Sequence, residues 1–268
     1  MSIYLGAGNT AHKMSKLYVG VSGQARQVQK VYVGVGGQAR LVYQSGQPIG
    51  GLAVGGLAVG SIVKIKVDGA SKDFIVVQQG NPDISVYDDS CTGTWLLMKD
   101  IYAASTFGNN NSYNDSIIHT YLNGTFYNLI DSNIRAAIKQ VKIPYQNGTG
   151  SGGSLATGSN GLSTKVFLLS GYEVGWTTSD RSDFPKDGVR LAYFGNSSGG
   201  NSKRVAYNGS SASIWWLRSP CTDNNGRVWN VYTDGSGVNL WYDSSYGVRP
   251  ALILPSTTLV DESGNVIG

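Results

Sequence analysis

A fourteen-residue repeat at the start of the chain constrains its fold more than any other feature. Residues 16–29 and 30–43 read KLYVGVSGQARQVQ and KVYVGVGGQARLVY, and the two blocks agree at ten of fourteen positions. Residues 2–15 fall into the same frame, with similar apolar residues at the same places. A period of this kind must be identified before any shorter motif is interpreted.

Each block consists of two alternating apolar runs that meet across two residues: Gly8-Asn9, Ser22-Gly23 or Gly36-Gly37. Glycine and asparagine tolerate the positive φ of tight hairpin turns, so the blocks predict three small β-hairpins. The string from Gly6 to Ala11 also has the spacing of a dinucleotide-binding turn. Such a turn requires a helix directly after the glycines, whereas here another strand begins within five residues of Ala11. We therefore predict no nucleotide site.

The composition indicates a chain of short strands and many turns. Only 14% of the 268 residues are charged, whereas glycine (37) and tyrosine (16) are abundant. Residues 1–43 carry a charge of +5, and the remaining residues carry −1. The larger part therefore has no basic stripe, and nucleic-acid binding is not expected.

The sequence gives no indication of export or membrane insertion. There is no signal-peptide-like start and no apolar run that could span a bilayer, so we expect synthesis in a cytoplasm. Cys91 and Cys221 are too few for a disulfide framework or a zinc cluster.

We divide the chain into a repeat arm (1–43), a glycine-rich connector (44–60) and one globular domain (61–268). Asp68-Gly69 predicts a hairpin that opens the domain, and TWLLMKDIY predicts a third strand. Two helices are expected inside 112–142. Asp115 or Ser116 can cap the first, and Asp131 or Ser132 can cap the second, whose apolar spacing extends to Val141. With strands and turns after residue 211, the pattern predicts an α+β domain.

No set of residues in the sequence suggests catalysis, a metal or a cofactor. His119 lies alone on a predicted helix, without a nucleophile or acid in a recognisable frame. Asp88-Asp89 and the pair Asp180 and Asp183 lie in turn-like sequence, where aspartate is favoured for backbone hydrogen bonding. We therefore predict no enzyme activity, no bound metal and no cofactor.

The segment 213–254 carries the most information about function. Asp234-Gly235 predicts a two-residue turn, which places Val231 opposite Val238 and Trp229 opposite Leu240 on a buried face. Asn230, Tyr232, Asn239 and Trp241 then share an outward face of unusual polar and aromatic composition, typical of binding surfaces. With the adjoining loops, the predicted ligand-binding residues are Asp223, Asn224, Asn225, Arg227, Tyr232, Asp234, Ser236, Asn239, Trp241, Tyr242 and Asp243.

Several strings resemble a known family of proteins. WWLRSP (215–220), VWNV and YGVRPALIL (246–254), together with YLNGTFYNLI, AAIKQVKIPY and VFLLSGYEVGW, resemble the C-type-lectin-fold domains of gut bacteriophage tail proteins. Some members of that family are variable targets of diversity-generating retroelements. The YVGVxGQAR blocks look like attachment segments of phage tail proteins. The resemblance covers roughly residues 61–255.

The resemblance implies a C-type-lectin-like scaffold that displays a receptor-binding surface on a phage virion. WWLRSP and GVRPAL would be framework, and the Asn/Ser/Tyr-rich segments between them would be the display region. Expected partners are a bacterial cell-surface protein or glycan, and other tail proteins through residues 1–43. Calcium-dependent sugar binding is not expected, because Trp229-Asn230 is followed by Val231 and no Glu-Pro-Asn string occurs. Formylglycine-generating activity is not expected either, since Cys91 and Cys221 lie far apart in sequence.

Two alternatives to a receptor-binding protein stay open at this point. An enzyme acting on a cell-surface glycan would need two carboxylates converging in one cleft. A structural tail component would use its domain only for packing against neighbours.

The repeat arm leaves apolar strand faces uncovered. Isolated hairpins of this kind are marginally stable. We therefore expect a homotrimer assembled through residues 1–43.

Overall fold

The computed structural model describes residues 4–7, 10–13, 18–21, 23–28, 30–35, 38–44, 51–148, 153–195 and 201–267. The arm contains six strands: β1 (Tyr4–Ala7), β2 (Thr10–Lys13), β3 (Tyr18–Val21), β4 (Gln24–Gln27), β5 (Lys30–Val35) and β6 (Gln38–Gln44). Consecutive strands pair as three antiparallel hairpins: β1 with β2, β3 with β4 and β5 with β6. Ala7 lies opposite Thr10, and Val21 lies opposite Gln24. The hairpin prediction is therefore confirmed for all three repeats.

The rest of the chain contains eighteen described strands. They are β7 (Leu52–Ala53), β8 (Ile62–Val67), β9 (Ala70–Gln79), β10 (Thr94–Met98), β11 (Ala103–Thr106), β12 (Val141–Ile143), β13 (Tyr145–Gln146), β14 (Leu155–Ala156), β15 (Leu162–Thr164), β16 (Val166–Phe167), β17 (Tyr207–Asn208), β18 (Ser211–Ala212), β19 (Trp215–Pro220), β20 (Arg227–Val231), β21 (Gly237–Trp241), β22 (Ser245–Val248), β23 (Ala251–Leu254) and β24 (Leu259–Val260).

Two five-stranded sheets contain most of the core. The first has the order β16-β23-β10-β9-β8, and its pairs are all antiparallel. The turn between β8 and β9 places Asp68 and Gly69 at positive φ, as the sequence predicts. Strand β10 is completely buried, which agrees with the continuous apolar run TWLLM.

The second sheet has the order β11-β22-β19-β20-β21 and carries the candidate functional site. Its pairs are antiparallel except β19 with β22, where Trp215 lies opposite Gly247 in a parallel arrangement. All six residues of β19, the WWLRSP string, are buried.

The helical segments in 113–137 are short. Helix α1 (Ile117–Tyr121) continues through a π-helical turn (Leu122–Phe126) into α2 (Tyr127–Leu129), and α3 spans Ser132–Ala137. The side chain of Ser116 accepts a hydrogen bond from the backbone N–H of His119, and Asp131 accepts one from Asn133, so both predicted caps form. The second helix ends at Ala137. The expected continuation to Val141 is wrong, because Val141–Ile143 pairs as a strand with Leu162–Thr164.

The predicted α+β, C-type-lectin-like fold is wrong. The described chain is mostly β structure, distributed over the two five-stranded sheets and several two-stranded sheets. Single 3-10 turns such as Val54–Gly56, Asp89–Cys91 and Tyr113–Asp115 add little helix. Apolar spacing over a few residues suggested helices longer than the chain forms, and the many glycines favour turns between short strands.

Part of the glycine-rich connector packs on the globular body. Strand β7 pairs with β24, and the Val54 side chain is completely buried. A Cβ on Gly55 would lie 2.6 Å from the Cβ of Ser256, so this close approach requires glycine. The ordered body therefore includes residues 51–60.

The β20–β21 hairpin differs from its prediction by one residue. Gly235 has φ +81°, and the backbone N–H of Tyr232 donates to the carbonyl of Ser236. The connection is therefore a three-residue loop, 233–235, with a left-handed glycine at its end. The pairing is shifted by one residue: Val231 lies opposite Gly237, and Trp229 lies opposite Asn239. A shift by one residue moves the side chains of β21 to the other face relative to those of β20.

Strand β20 is covered on both faces, because Val228, Trp229, Asn230 and Val231 are all buried. The predicted outward position of Asn230 is wrong: its side chain is completely buried, opposite Trp216 and Val238. Within the described part of the chain, neither its Nδ2 nor its Oδ1 has a hydrogen-bond partner. Leu240, expected in the core, is only half-buried.

We predict that Asn230→Leu increases the free energy of unfolding. An unpaired buried polar group costs about 1–3 kcal/mol, and leucine has the same branching at Cγ without a polar group to satisfy. Chemical denaturation measures the difference. Asn123→Leu is the matched control and should lower stability, because the Asn123 side chain donates to the carbonyls of His119 and Val166 and accepts from Lys165. A loss of stability in Asn230→Leu equal to that of the control would contradict the prediction.

Candidate functional site

A buried ion pair fixes the segment that forms one side of the site. The Nη1 and Nη2 atoms of Arg218, on β19, each lie 2.6 Å from a different carboxylate oxygen of Glu173, and both side chains are inaccessible to solvent. The remaining donors of Arg218 reach the carbonyls of Pro144, Leu168 and Asp187. The loop formed by residues 170–187 is thus held against the second sheet by charge-assisted hydrogen bonds.

A second buried carboxyl group, Asp187, lies beside this pair. Its oxygens accept a hydrogen bond from the Ser219 hydroxyl at 2.8 and 3.1 Å. Burial raises the pKa of Asp187 to about 7, although the Arg218 guanidinium and the Ser219 hydrogen bond oppose that shift. The phenol of Tyr87 donates to Glu173 at 2.8 Å.

Three stacked aromatic rings connect the 170–187 loop to strand β20. Trp176 stacks on Phe184 with ring centroids 5.6 Å apart, and Phe184 stacks on Trp229 at 3.9 Å. The guanidinium carbon of Arg181 lies 5.2 Å from the centroid of Trp229. The exposed side chain of Arg181 therefore contacts a stack of buried rings.

Strands β20 and β21 supply the opposite side of the site. Arg227 lies directly across from Trp241, with its guanidinium carbon 5.2 Å from the Trp241 ring centroid. Its Nη1 donates to the Oδ1 of Asn239 at 3.1 Å. A Cβ on Gly226 would lie 2.1 Å from Cζ3 of Trp241, so the absence of a side chain at position 226 makes room for the indole. Half of the Trp241 surface (52%) stays exposed.

An open cleft of about 570 Å³ lies between these two sides. The eight described residues that line it are polar or charged: Asp180, Arg181, Ser182, Asp183, Asp223, Asn224, Arg227 and Asn239. We call this site the polar cleft.

Cys221 lies between two carboxylates of the polar cleft. Its Sγ is 2.9 Å from Oδ1 of Asp223 and 3.3 Å from Oδ2 of Asp183, and Asn239 Nδ2 donates to both Sγ and Asp183 Oδ2. Burial and the hydrogen bonds to Asp223 and Asp183 raise the pKa of the Cys221 thiol far above its usual range. Asp183, Cys221 and Asp223 offer atoms within 4.8 Å of one another that could contact a metal ion. The thiol would first have to lose its proton.

The structure brings together about half of the predicted ligand-binding residues. Asp223, Asn224, Arg227 and Asn239 line the polar cleft, and Trp241 adjoins it through Arg227. Tyr232, Asp234 and Ser236 lie at the β20–β21 loop and do not line the cleft, and Asn225, Tyr242 and Asp243 are also outside its lining. All eleven residues are exposed or half-buried. Asn239 nevertheless shares its strand face with buried Trp229 and not with Asn230.

Residues 180–183 contribute to the cleft although the sequence pattern did not predict it. Asp180 and Asp183 lie in turn-like sequence, and Asp180 does accept a turn hydrogen bond from the backbone of Thr177. Asp183, however, contacts Cys221 and Asn239 across the cleft. The available signal was the charge density of SDRSDFPKD within a charge-poor chain.

Comparison with known proteins identifies a family. The model described as Domain of unknown function (DUF6273) matches residues 92–256, more than half of the chain. The chain therefore belongs to this family. The matched region includes WWLRSP, the 170–187 loop and the polar cleft. No curated protein and no solved structure matches the chain.

In the described residues, no helix has the length and apolar character needed to cross a membrane.

We predict that Asp187→Asn flattens the pH dependence of stability. Because the folded-state pKa is raised, the stabilisation from protonated Asp187 is complete below the unfolded pKa, near 4, and is lost as pH rises through 7. The wild type should lose roughly 4 kcal/mol from this group over that interval, whereas the asparagine variant keeps a neutral group throughout. Urea denaturation between pH 4 and 8 measures both curves. Parallel curves would contradict this assignment.

Proposed function

We propose that this chain is a non-enzymatic receptor-binding protein whose ligand occupies the polar cleft and contacts Trp241. The observation that carries the proposal is the fixed position of the polar groups in the cleft. Arg181 rests on the Trp229 stack, Arg227 is held by Asn239 and Trp241, and the loop carrying Asp183 is anchored through Glu173 and Arg218. Binding to groups that are already ordered loses little conformational entropy.

We further propose that the protein belongs to a phage virion, where it contacts a bacterial cell-surface protein or glycan. The support is the resemblance of the YVGVxGQAR arm and of the WWLRSP and YGVRPALIL strings to phage tail proteins. The proposal does not depend on a lectin fold. It requires only an exposed binding cleft on a body that can be attached through residues 1–43.

A specific observation also bears on the enzyme alternative. Asp183 and Asp223 do converge in one cleft, as a glycan hydrolase would require. The space between their carboxylates, however, contains the Cys221 sulfur, which lies 2.9 and 3.3 Å from an oxygen of each. A glycosidic bond would have to lie in that space to be protonated on one side and attacked on the other. This geometry favours binding over hydrolysis.

Replacement of Trp241 tests the binding proposal. We expect Trp241→Ala to weaken binding of the labelled full-length protein to intact gut bacteria by at least 2 kcal/mol, about 30-fold in Kd. Thermal stability should change little, since half of the indole is exposed. Flow cytometry over a range of protein concentrations gives the Kd values, and calorimetry gives Tm.

Tyr207→Ala provides the matched control for this experiment. Tyr207 is another exposed aromatic residue (45%), but its backbone hydrogen-bonds with Asp100 and Ile101, away from the cleft lining. We expect this variant to bind like the wild type. Binding that is intact in Trp241→Ala but accompanied by a large drop in Tm would identify Trp241 as structural and reject the proposed site.

We also propose a homotrimer assembled through residues 1–43. In the second hairpin, Tyr18, Val19 and Val21 expose 53%, 50% and 41% of their surfaces, so β3 has apolar side chains exposed on both faces. A lone two-stranded hairpin is marginally stable, and a closed ring of arms would cover these side chains and remove free strand edges. Three clefts on one particle would also increase weak affinity through avidity.

Light scattering tests this assembly. The full chain should have three times the mass of 28.5 kDa, and a fragment of residues 51–268 should be monomeric. The fragment begins at residue 51 because β7 and Val54 belong to the folded body. A monomeric full-length protein at micromolar concentration would reject the trimer.

A further inference from the structure

We infer that the polar cleft binds a saccharide through direct hydrogen bonds, with Trp241 packing against a sugar ring and no metal ion between protein and ligand. This inference rests on the proposed binding function and adds the chemical class of the ligand. Among the residues that the structure describes, no apolar side chain lines the cleft. It therefore offers no anchor pocket for the apolar side chain of a peptide or for a lipid chain, which are the usual sources of affinity for those ligands.

The donor and acceptor pattern of the cleft matches hydroxyl groups. Asp180, Asp183 and Asp223 provide carboxylate acceptors, whereas Arg181 and Arg227 provide donors. A simple anion would meet the three carboxylates, and a simple cation would meet the two guanidinium groups. Each sugar hydroxyl both donates and accepts, so neighbouring hydroxyls can satisfy both kinds of group at once.

The two arginines are positioned as donors for a ligand. Among the described residues, neither Arg181 nor Arg227 forms an ion pair with a carboxylate within 4.0 Å. The guanidinium carbon of each instead lies 5.2 Å from the centroid of a tryptophan ring, within the range of a cation–π contact. Because guanidinium N–H groups form a rigid fork, they can bind two neighbouring oxygen atoms together.

Trp241 supplies the apolar contact that a sugar ring needs. One face of a pyranose consists largely of C–H groups, and an exposed indole gives a large rigid surface on which such a face can pack. Trp241 is 52% exposed and lies against Arg227, which lines the cleft. A sugar on the indole is thus adjacent to the polar groups that would bind its hydroxyls.

Direct binding follows from the contacts of Cys221. Its Sγ lies 2.9 Å from Oδ1 of Asp223 and 3.3 Å from Oδ2 of Asp183, and so occupies the space between the two carboxylates. The Asn239 Nδ2 donates toward the same carboxylate, Asp183. The facing oxygens of Asp183 and Asp223 are therefore engaged by protein donors.

Selective destruction of cell-surface molecules tests the ligand class with the intact full-length protein. Bacteria that bind the wild-type protein are treated with mild periodate, which cleaves vicinal diols, or with a broad-specificity protease. We expect at least a tenfold loss of binding after periodate, no loss after protease, and no change when EDTA is added to untreated cells. The polysaccharide fraction released from those cells should compete for binding.

A matched pair of charge-neutralising variants links this result to the cleft. Arg181 and Lys186 are exposed cations on the same loop, but only Arg181 lines the cleft. Arg181→Gln should weaken binding to untreated cells at least tenfold, and Lys186→Gln should change it less than twofold. Equal losses in the two variants would show that general charge, and not the cleft, attracts the ligand, and would overturn the inference.

The other outcomes separate the two proposals. Binding that is lost after protease and kept after periodate would overturn the saccharide inference while leaving the receptor-binding function intact. Binding abolished by EDTA would overturn direct, metal-free recognition. Wild-type protein that labels no cell of a broad bacterial panel would reject the proposed function and this inference with it.

Discussion

The buried pair of Arg218 and Glu173 is the interaction on which the functional side of the molecule depends. A guanidinium removed from water is stable only if its donors find acceptors. Arg218 meets this requirement with a carboxylate and three backbone carbonyls from Pro144, Leu168 and Asp187. Satisfying one side chain therefore fixes β19 relative to three separate segments. Removing one partner of such a pair typically costs about 3–5 kcal/mol, so the 170–187 loop has a defined position from which Arg181 and Asp183 reach the cleft.

Local rules predicted the parts of the fold that local interactions determine. The three arm hairpins, the turn at Asp68-Gly69 and the caps Ser116 and Asp131 form as expected, because each depends on residues within a few positions of one another. The α+β assignment failed because it depended on long-range arrangement and on a resemblance. Apolar spacing alone could not distinguish a third helical turn at Val141 from a strand, since pairing with Leu162–Thr164 decided between them.

Site residues on the same strand could be predicted from the sequence, but their neighbours from other strands and loops could not. Asn239 and Trp241 are two residues apart on β21, so they share a face in any register, and this part of the prediction did not depend on the turn. Their partners did depend on it: the three-residue loop at 233–235 replaced Asn230 by Trp229 opposite Asn239. Asp183 lies about forty residues before Asp223, and long-range contacts bring the two carboxylates together: the carbonyl of Asp183 accepts hydrogen bonds from the backbone N–H of Thr222 and from the indole of Trp229. No periodicity in the sequence predicts that Asp183 and Asp223 lie close together.

The arrangement around Cys221 explains how a charge-poor chain can concentrate charge in one cleft. Two carboxylates whose ligand atoms lie within 4.8 Å repel each other unless donors stand between them. Cys221 and Asn239 are small, uncharged donors, and they contact Asp183 and Asp223 without neutralising either. Each carboxylate can accept about four hydrogen bonds. These contacts therefore leave lone pairs that can accept hydrogen bonds from groups in the cleft. The buried thiol thus acts as a spacer that brings two acceptors together while keeping them available to hydroxyl donors of a ligand.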